Sequence, residues 1–526
     1  MIYDLLIKNA EIFDGTKNSG YKADIGVKGE RIVKIGIIDA PSALMTIDAT
    51  DRVVCPGFID MHSHSDFTIL ANPRSESKIR QGVTTEVIGN CGMSAAPRYE
   101  EALKRGQEIC HDFGFSCNWK SMADYFKVLE DTGIGINIVA LVGQGNIRTS
   151  VMGYVDSIAT DIQLSQMKSL LEESLCAGCF GMSSGLIYPP GCFTPMDELV
   201  ELCKIVAEFN GIYTTHMRSE GDQLLEAIDE ALTIGKESGV HVNISHLKTS
   251  GQRNWHKLQA VFDKFDTGGQ TQGQTHRFAP TIDRYPYTAG GTGLDAVLPS
   301  WMYEGGTSKE IERLKDVEIR NRLILQLAQE HQRDWDTVMI SSVSNKANKC
   351  WEGKRLSELM QGNIELLFDF LISEECKTEA IFFSMSEDNL QQIMKKPYMM
   401  IGSDASSRAT YGILAQEMVH PRGFGTFPRV LSHFVRKEKI LSMEEAIWKM
   451  TLLPANTLGL CDRGQIKEGY FADMVIFDPI TINDTATYEL PLSYPTGIDC
   501  VILNGQIVVR NGECMGKACG KVLRKG

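Results

Sequence analysis

The residues of this chain best suited to binding a metal ion begin with His62 and His64. They follow a short apolar run in the sequence VVCPGFIDMHSHSD, residues 53–66. Side chains alternate between the two faces of a strand, so two histidines separated by one residue project from the same side. Such a pair can hold one metal ion, but taken alone an H-x-H sequence is often only the polar start of a loop.

Further candidate ligands recur downstream, each at the end of a separate apolar run. They are Cys91, His216, His246 and Asp404. Taken singly, each has an ordinary explanation as a buried thiol, a core histidine or a helix-capping aspartate. Thiolate, imidazole and carboxylate are also the groups that bind zinc. Because all six candidates coincide with strand ends, the pattern favours one metal centre assembled from distant parts of the chain.

The elements that must position these side chains alternate between strand-like and helix-like patterns. Eight apolar runs end in polar residues, namely 57–64, 83–92, 136–145, 180–185, 212–218, 240–248, 281–287 and 399–404. This alternation predicts an α/β fold, a (β/α)8 TIM-like barrel whose site lies at the carboxyl ends of its strands. The gap between Tyr287 and Met399 is too long for one helical crossover, so we expect an insertion within about 288–398.

Both ends of the chain show the sequence pattern of short strands separated by turns. Asn504-Gly505, between VIL and QIVV, is a strong hairpin signal. Two strand-rich ends around a different middle predict that residues 1–56 and 461–526 form one small β-sandwich domain. Residues 57–460 are then expected to form the barrel.

Composition limits the classes of function and partner. The 526 residues are 43% hydrophobic and 23% charged, as in soluble globular proteins, and the net charge of −14 argues against nucleic acid or an anionic membrane as partner. No apolar run approaches the ~20 residues of a membrane span, and the N-terminus lacks a signal-peptide pattern. We therefore expect a cytoplasmic location and 14 reduced cysteines, with the Cys176/Cys179 pair structural rather than redox-active.

The remaining histidines fall away from the predicted strand ends, and we expect them to be structural. They are His111, His241, His256, His276, His331, His420 and His433.

Longer motifs around the candidate ligands resemble those of the N-acyl-D-amino-acid deacylases, or D-aminoacylases, of the amidohydrolase superfamily. The motifs are PGFIDMHSHSD, GNCG, THMRSE, ISHLK, YPYTAG, ISSV, FSMSE, IGSD, HPRGFGTFPRVL and GQIKEGYFADMVIFD. The likeness runs essentially from end to end. It implies a (β/α)8 barrel, a β-sandwich built from both termini and an insertion after strand seven.

The resemblance also implies roles for individual residues. Cys91, His216 and His246 would bind one essential zinc ion, and His62 and His64 would share Cys91 in a second, weaker site.

Asp404 matches the family's acid/base aspartate. Lys248, Tyr287 and Arg422 match positions that hold the α-carboxylate of the substrate. Two departures, at Gln144 and in SDASSRATYG after Asp404, leave the loop contacts and the preferred side chain and acyl group open.

The implied reaction is zinc-dependent hydrolysis of the linear amide of an N-acyl-D-amino acid, giving a D-amino acid and a carboxylate. Zinc would polarise the carbonyl and lower the pKa of bound water, and Asp404 would carry the proton to the leaving amine. The alternative is a cyclic-amide hydrolase of dihydroorotase or hydantoinase type; the absence of lysine in FGMSSG and the arginine of HPR argue against it. A non-catalytic scaffold ranks last because all six ligand candidates are present. The expected partner is a small N-acylated amino acid, and self-association into a homo-oligomer is left open.

Overall fold

The computed structural model describes residues 2–39, 42–268, 279–330 and 334–526. His276 and His331 lie outside these ranges. Within them, no helix has both the length and the apolar character needed to cross a membrane.

The strands fall into a terminal group, a parallel group and a short antiparallel group. In chain order they are β1 Ile2–Ile12, β2 Tyr21–Lys28, β3 Arg31–Gly36, β4 Ser42–Asp48, β5 Val53–Pro56, β6 Phe58–Asp60, β7 Val83–Ile88, β8 Asn137–Ala140, β9 Val142–Gly143, β10 Gly181–Gly185, β11 Ile212–His216, β12 His241–Ile244, β13 Thr281–Arg284, β14 Gly290–Gly293, β15 Val338–Ser342, β16 Glu379–Phe382, β17 Met399–Ile401, β18 Met474–Phe477, β19 Ile498–Leu503, β20 Gln506–Arg510 and β21 Glu513–Cys514.

Helices occupy most of the connections between the parallel strands. They are α1 Thr68–Ala71, α2 Glu76–Ile79, α3 Glu100–Asp112, α4 Met122–Thr132, α5 Gln144–Met152, α6 Asp161–Cys176, α7 Met196–Glu208, α8 Leu224–Ser238, α9 Leu258–Gly268, α10 Thr307–Lys315, α11 Val317–Glu330, α12 Leu356–Met360, α13 Glu365–Ser373, α14 Glu387–Met394, α15 Arg422–Arg429, α16 Met443–Met450 and α17 Leu452–Leu458. Ser121 and Thr160 begin α4 and α6 with reciprocal capping boxes, which satisfy free N–H groups of the first turn.

Two parallel sheets carry the predicted strand ends. Their orders are β6-β7-β8 and β9-β10-β11-β12-β13-β17. The predicted run 136–145 contains both β8 and β9, and each of the other seven runs contains one strand. Only Leu141 separates β8 from β9, and the Met61 N–H donates to the Ile401 carbonyl at 3.2 Å, which connects β6 to β17. The strands therefore follow one another in a cyclic order, with their carboxyl ends on one side.

A buried lysine holds the first and last of these strand ends together. The Nζ atom of Lys78 lies 2.7 Å from Asp60 Oδ2, 2.8 Å from Ser403 Oγ and 2.8 Å from the Ala405 carbonyl oxygen. Its side chain and that of Asp60 are fully buried. Together these contacts of Lys78 fix the spacing between the end of β6 and the segment that follows β17.

The chain ends meet in one sheet. Its order is β21-β20-β19-β18-β5-β1-β2-β3, with β4 paired to β1, and β5 joins the N-terminal strands to β18. One apolar cluster contains side chains from both halves, so the two ends of the chain share one nine-stranded sheet and one core. The hairpin predicted at Asn504-Gly505 is confirmed: both residues have positive φ and join β19 to β20.

The segment between β13 and β17 has its own sheet and its own apolar core. The sheet is antiparallel, in the order β14-β16-β15, and helices α10 to α13 pack with it. This segment covers one side of the strand ends.

One prediction about the cysteines is wrong. Cys110 and Cys117 form a disulfide, because the chain turns back after α3 and brings their Cα atoms to 6.1 Å, within the range that a disulfide spans. Cys176 and Cys179 are both free.

Candidate metal centre

The first cluster of potential ligands lies where β6, β7 and β17 end. Single ligand atoms from His62, His64, Cys91 and Asp404 all lie within 4.8 Å of one another. The segments that carry His64 and Asp404 pair directly through the Ser63–Ala405 bridge. Residues far apart in the sequence therefore converge because neighbouring parallel strands end side by side.

A second cluster shares the same thiol. Atoms of Cys91, His216 and His246 also lie within 4.8 Å of one another. The sulfur of Cys91 is 3.3 Å from His62 Nε2 and 3.5 Å from His246 Nε2. All six side chains expected to form a metal centre are thus together, and Cys91 belongs to both clusters.

Three of these residues have an unusual backbone conformation. Cys91, His246 and Asp404 have φ values of 54°, 35° and 50°. Residues with a Cβ rarely adopt this left-handed region, and such strain persists where the surrounding structure holds it in place. The backbone here directs side chains toward the centre at a cost in local stability.

The donor set fits zinc. Both ring nitrogens of His216 are buried without a hydrogen-bond partner among the described residues, as expected of an imidazole placed to bind an ion. Burial lowers the pKa of His216, which favours the neutral form that coordinates metals. Burial opposes ionisation of Cys91, but His62, His216 and His246 hold its thiol pKa well below the usual value. Thiolate and imidazole are typical zinc ligands.

Two acids that the sequence analysis missed orient the histidines. Asp283 Oδ1 lies 3.1 Å from His62 Nδ1 and accepts the backbone N–H of His246 at 2.8 Å. Glu220 Oε1 lies 2.9 Å from His246 Nδ1. Partners on the second ring nitrogen fix the orientation of a metal-binding imidazole. Asp283 lies one residue before the end of β13 and Glu220 closes the THMRSE motif, so their positions offered a signal.

Asp404 sits between cations. Its carboxylate is 2.8 Å from Arg422 Nη1 and 3.1 Å from His64 Nε2. Burial alone would raise the pKa of Asp404, but Arg422, His246 and His64 hold it well below its ordinary value. The residue is therefore ionised although it is buried.

The three candidates for substrate binding are placed differently. Lys248 and Arg422 are buried and line the cavity beside the ligand clusters. Tyr287 does not line it, because the chain turns where the Tyr287 N–H donates to the Tyr285 carbonyl. Tyr285 lines the cavity instead, with the Arg422 guanidinium 4.7 Å from its ring centre.

His420 is at the site, contrary to the expectation that it lies elsewhere. It lines the same cavity, and its Nδ1 accepts the backbone N–H of Arg422 at 3.0 Å. Burial and Arg422 lower its pKa well below the usual value, so the ring is a neutral acceptor. No apolar run precedes His420, so it was not among the polar residues predicted to lie at strand ends.

Comparison with known proteins agrees with this geometry. A family model described as "Amidohydrolase family" matches residues 45–118 and 380–509. A D-aminoacylase of Alcaligenes xylosoxydans xylosoxydans is 35% identical over 525 residues, which cover 99% of this chain and 98% of that protein.

Two solved structures match over nearly the whole chain. One is a D-aminoacylase described as having a binuclear metal centre with one-metal activation and second-metal attenuation; it is 32% identical, with a TM-score of 0.83, covering 99% of this chain and 100% of that one. The other is an N-acyl-D-glutamate deacylase from Bordetella bronchiseptica complexed with zinc and a phosphonate inhibitor; it is 31% identical, with a TM-score of 0.83, covering 100% of each.

The fold, the site and the matching proteins together identify the chain as an amidohydrolase. Within that class, the chain belongs to the family of the D-aminoacylases and N-acyl-D-amino-acid deacylases.

Proposed function

We propose that this chain is a zinc-dependent hydrolase that cleaves the amide bond of N-acyl-D-amino acids, giving a D-amino acid and a carboxylate. The observation that carries the proposal is the position of Cys91, whose thiolate is common to two clusters of zinc-binding side chains. The names of the full-length relatives supply the substrate class and its D configuration.

The residues assigned to the essential ion are Cys91, His216 and His246. A second, weaker site would use His62 and His64 together with the shared Cys91, in agreement with the binuclear centre named for a related D-aminoacylase. When bound there, zinc supplies Lewis-acid chemistry that favours the attack of water on an amide carbonyl.

Asp404 carries the proton in this proposal. Because its pKa is held low, it is ready as a base to accept a proton from the attacking water. The same carboxyl group then returns the proton to the departing amine nitrogen. Arg422 and His64 keep the group ionised and oriented.

Arg422 and Lys248 are assigned to the α-carboxylate of the substrate. Both are buried cations at the cavity wall, and a carboxylate in a closed site requires such partners. Each already pairs with an acid, Arg422 with Asp404 and Lys248 with Glu220, which fixes its position. Tyr285 takes the place that the family pattern gave to Tyr287.

The cyclic order of the parallel strands supports a (β/α)8 barrel, which we propose as the architecture of the catalytic domain. The boundaries at 56/57 and 460/461, the insertion within about 288–398, self-association and a cytoplasmic location stay predictions. Strand β10 carries serines and no lysine, which disfavours the cyclic-amide alternative.

The test is a hydrolysis panel with zinc-loaded protein on N-acetyl-D- and N-acetyl-L-amino acids, hydantoins and dihydroorotate. Hydrolysis of the N-acetyl-D-amino acids, with slow or no reaction of the L forms, is the expected result. Preferential opening of a cyclic amide would overturn the proposal in favour of the alternative function.

A further inference from the structure

Three acids of the segment between β13 and β17 line the cavity beside the metal centre. They are Asp295, Glu310 and Glu379, and together we call them the acidic wall. Asp295 follows β14, Glu310 lies on α10, and Glu379 begins β16. None of them takes part in the reaction proposed above.

Strand β14 connects the acidic wall to the centre. The Gly291 carbonyl accepts from Arg422 Nη2 at 3.3 Å, and Thr292 Oγ1 lies 2.9 Å from the hydroxyl of Tyr188, whose ring packs edge-on against His216. Gly293, two residues and about 7 Å beyond Gly291, pairs in register with Glu379.

Asp295 faces the same point of the strand. A Cβ at Gly293 would collide with Asp295 Oδ1, so the carboxylate lies directly against this glycine. Asp295 and Glu379 are therefore about one long side chain away from Arg422, the residue assigned to the substrate's α-carboxylate.

The acids of the acidic wall have few partners within the protein. Within the described ranges, neither Asp295 nor Glu379 has a side-chain donor or an ion-pair partner. Glu310 is only 3% exposed, and its Oε1 has no hydrogen-bond partner; the thiol of Cys376 is its weak polar neighbour.

Two nearby arginines pair with groups outside the acidic wall. Arg313 donates to the carbonyls of Met302 and Glu304, and Arg408 pairs with Glu417 at 2.6 Å. The negative charge of the acidic wall is thus left for something that enters the cavity.

The acids of the acidic wall repel one another. Burial raises the pKa of Asp295 to about 6. Burial and the nearby Asp295 raise that of Glu310 to about 8. Glu379 is exposed to solvent at the start of β16. A cation brought in by a ligand relieves this repulsion.

A metal ion does not suit the acidic wall. In the part of the chain that the structure covers, the groups with ligand atoms within 4.8 Å of one another are the two that contain Cys91. The three carboxylates do not form such a group, which suits an organic cation better than a compact ion.

We propose that the enzyme prefers N-acyl-D-amino acids whose side chain ends in a cation, an ammonium or guanidinium group recognised by Asp295, Glu379 and Glu310. The inference rests on the proposed function and names the substrate class of the same site. With the α-carboxylate at Arg422, the four-carbon stem of a lysine side chain runs along β14 toward Gly293. An acidic side chain placed there meets like charges.

The experiment compares kcat/KM for Nα-acetyl-D-lysine, Nα-acetyl-D-norleucine and Nα-acetyl-D-glutamate at about pH 8.5, where a lysine side chain is still protonated. Norleucine matches the lysine stem without its charge. We expect the lysine substrate to exceed norleucine at least about tenfold, as charged hydrogen bonds do, and glutamate to be the poorest. In Asp295→Asn with Glu379→Gln, the lysine-to-norleucine ratio should fall toward one.

Glu312→Gln is the matched control, because Glu312 is an exposed acid on the same helix as Glu310 and pairs with Lys309 outside the cavity. It should keep the wild-type ratio. If the double variant does not fold, the wild-type ratio alone decides. A ratio at or below one, with norleucine well hydrolysed, overturns this inference and leaves the proposed function standing. Failure to hydrolyse any N-acetyl-D-amino acid overturns both.

Discussion

The Nη1 atom of Arg422 lies 2.8 Å from Oδ2 of Asp404, so the arginine assigned to substrate binding also sets the charge of the proposed proton carrier. This pair is buried beside both ligand clusters. One side chain therefore links recognition of the substrate to readiness for proton transfer, and its removal should affect both.

Arg422→Met should raise KM for N-acetyl-D-amino acids about tenfold or more, because a charge-assisted hydrogen bond is worth about 1.5–3 kcal/mol. Loss of the cation should also raise the pKa of Asp404 from its depressed value, so the fall of kcat on the acid side should begin at a higher pH. Steady-state kinetics across the pH range measures both, with Arg422→Lys as the charge-retaining control. Wild-type enzyme that hydrolyses a substrate amide as well as the free acid would contradict the assignment.

Cys91→Ala should abolish tight zinc retention and activity, because the thiol belongs to both clusters. Metal analysis after dialysis and a turnover assay check this. Cys203→Ala, which removes a buried thiol from α7, is the control and should keep its zinc. A Cys91→Ala protein with full zinc and normal turnover would show that the thiol only fills space.

Asp404→Asn should lower kcat by about 10²–10⁴-fold, the usual effect of losing an acid/base group, while most of the zinc stays bound. The substitution keeps size and polarity but removes the basic carboxylate. Single-turnover rates and metal content separate the two effects, and Asp229→Asn, at an exposed acid paired with Lys264, provides the control. Activity within a few-fold of wild type would mean that another residue carries the proton.

Lys78→Met should lower the free energy of unfolding by about 3–5 kcal/mol, because it leaves the carboxylate of Asp60 buried without its cation. Urea unfolding measures the change. Lys127→Met, at an exposed lysine of α4 paired with Asp131, should cost far less. Equal stabilities of the two variants would rule out the proposed role of Lys78 in holding the ends of β6 and β17 together.

Glu310→Gln should stabilise the protein at alkaline pH. The folded-state pKa of Glu310 is raised from 4.5 to about 8 by burial and by Asp295, so the fold favours the protonated form. The stability that the protonated Glu310 side chain contributes is fully present below the pKa of the unfolded state. It is lost as the pH rises through the pKa of the folded state. The melting temperature of the variant should exceed that of wild type above about pH 8 and equal it near pH 4. Glu312→Gln should show no such divergence.

Sequence reasoning reached the parallel strands and the six ligand candidates because both depend on local pattern, an apolar run followed by a polar residue. It failed where tertiary packing determines the position of a side chain. That Tyr285 lines the cavity and Tyr287 does not depends on a turn, and His420 reaches the cavity through a segment with no apolar run. Asp283 and Glu220 act through contacts with other elements. The acidic wall combines residues of three elements that no spacing rule connects.

The joining of the chain ends has a consequence for synthesis. Arg31 and Asp462, 431 residues apart, form an ion pair in the terminal domain, and β5 finds its partner β18 only after the whole catalytic region has been made. Until then the N-terminal strands present an unpaired hydrogen-bonding edge, which other chains can extend. Ribosome-bound or C-terminally truncated chains should therefore aggregate through residues 2–56, and chaperone demand should end only when the last strands emerge.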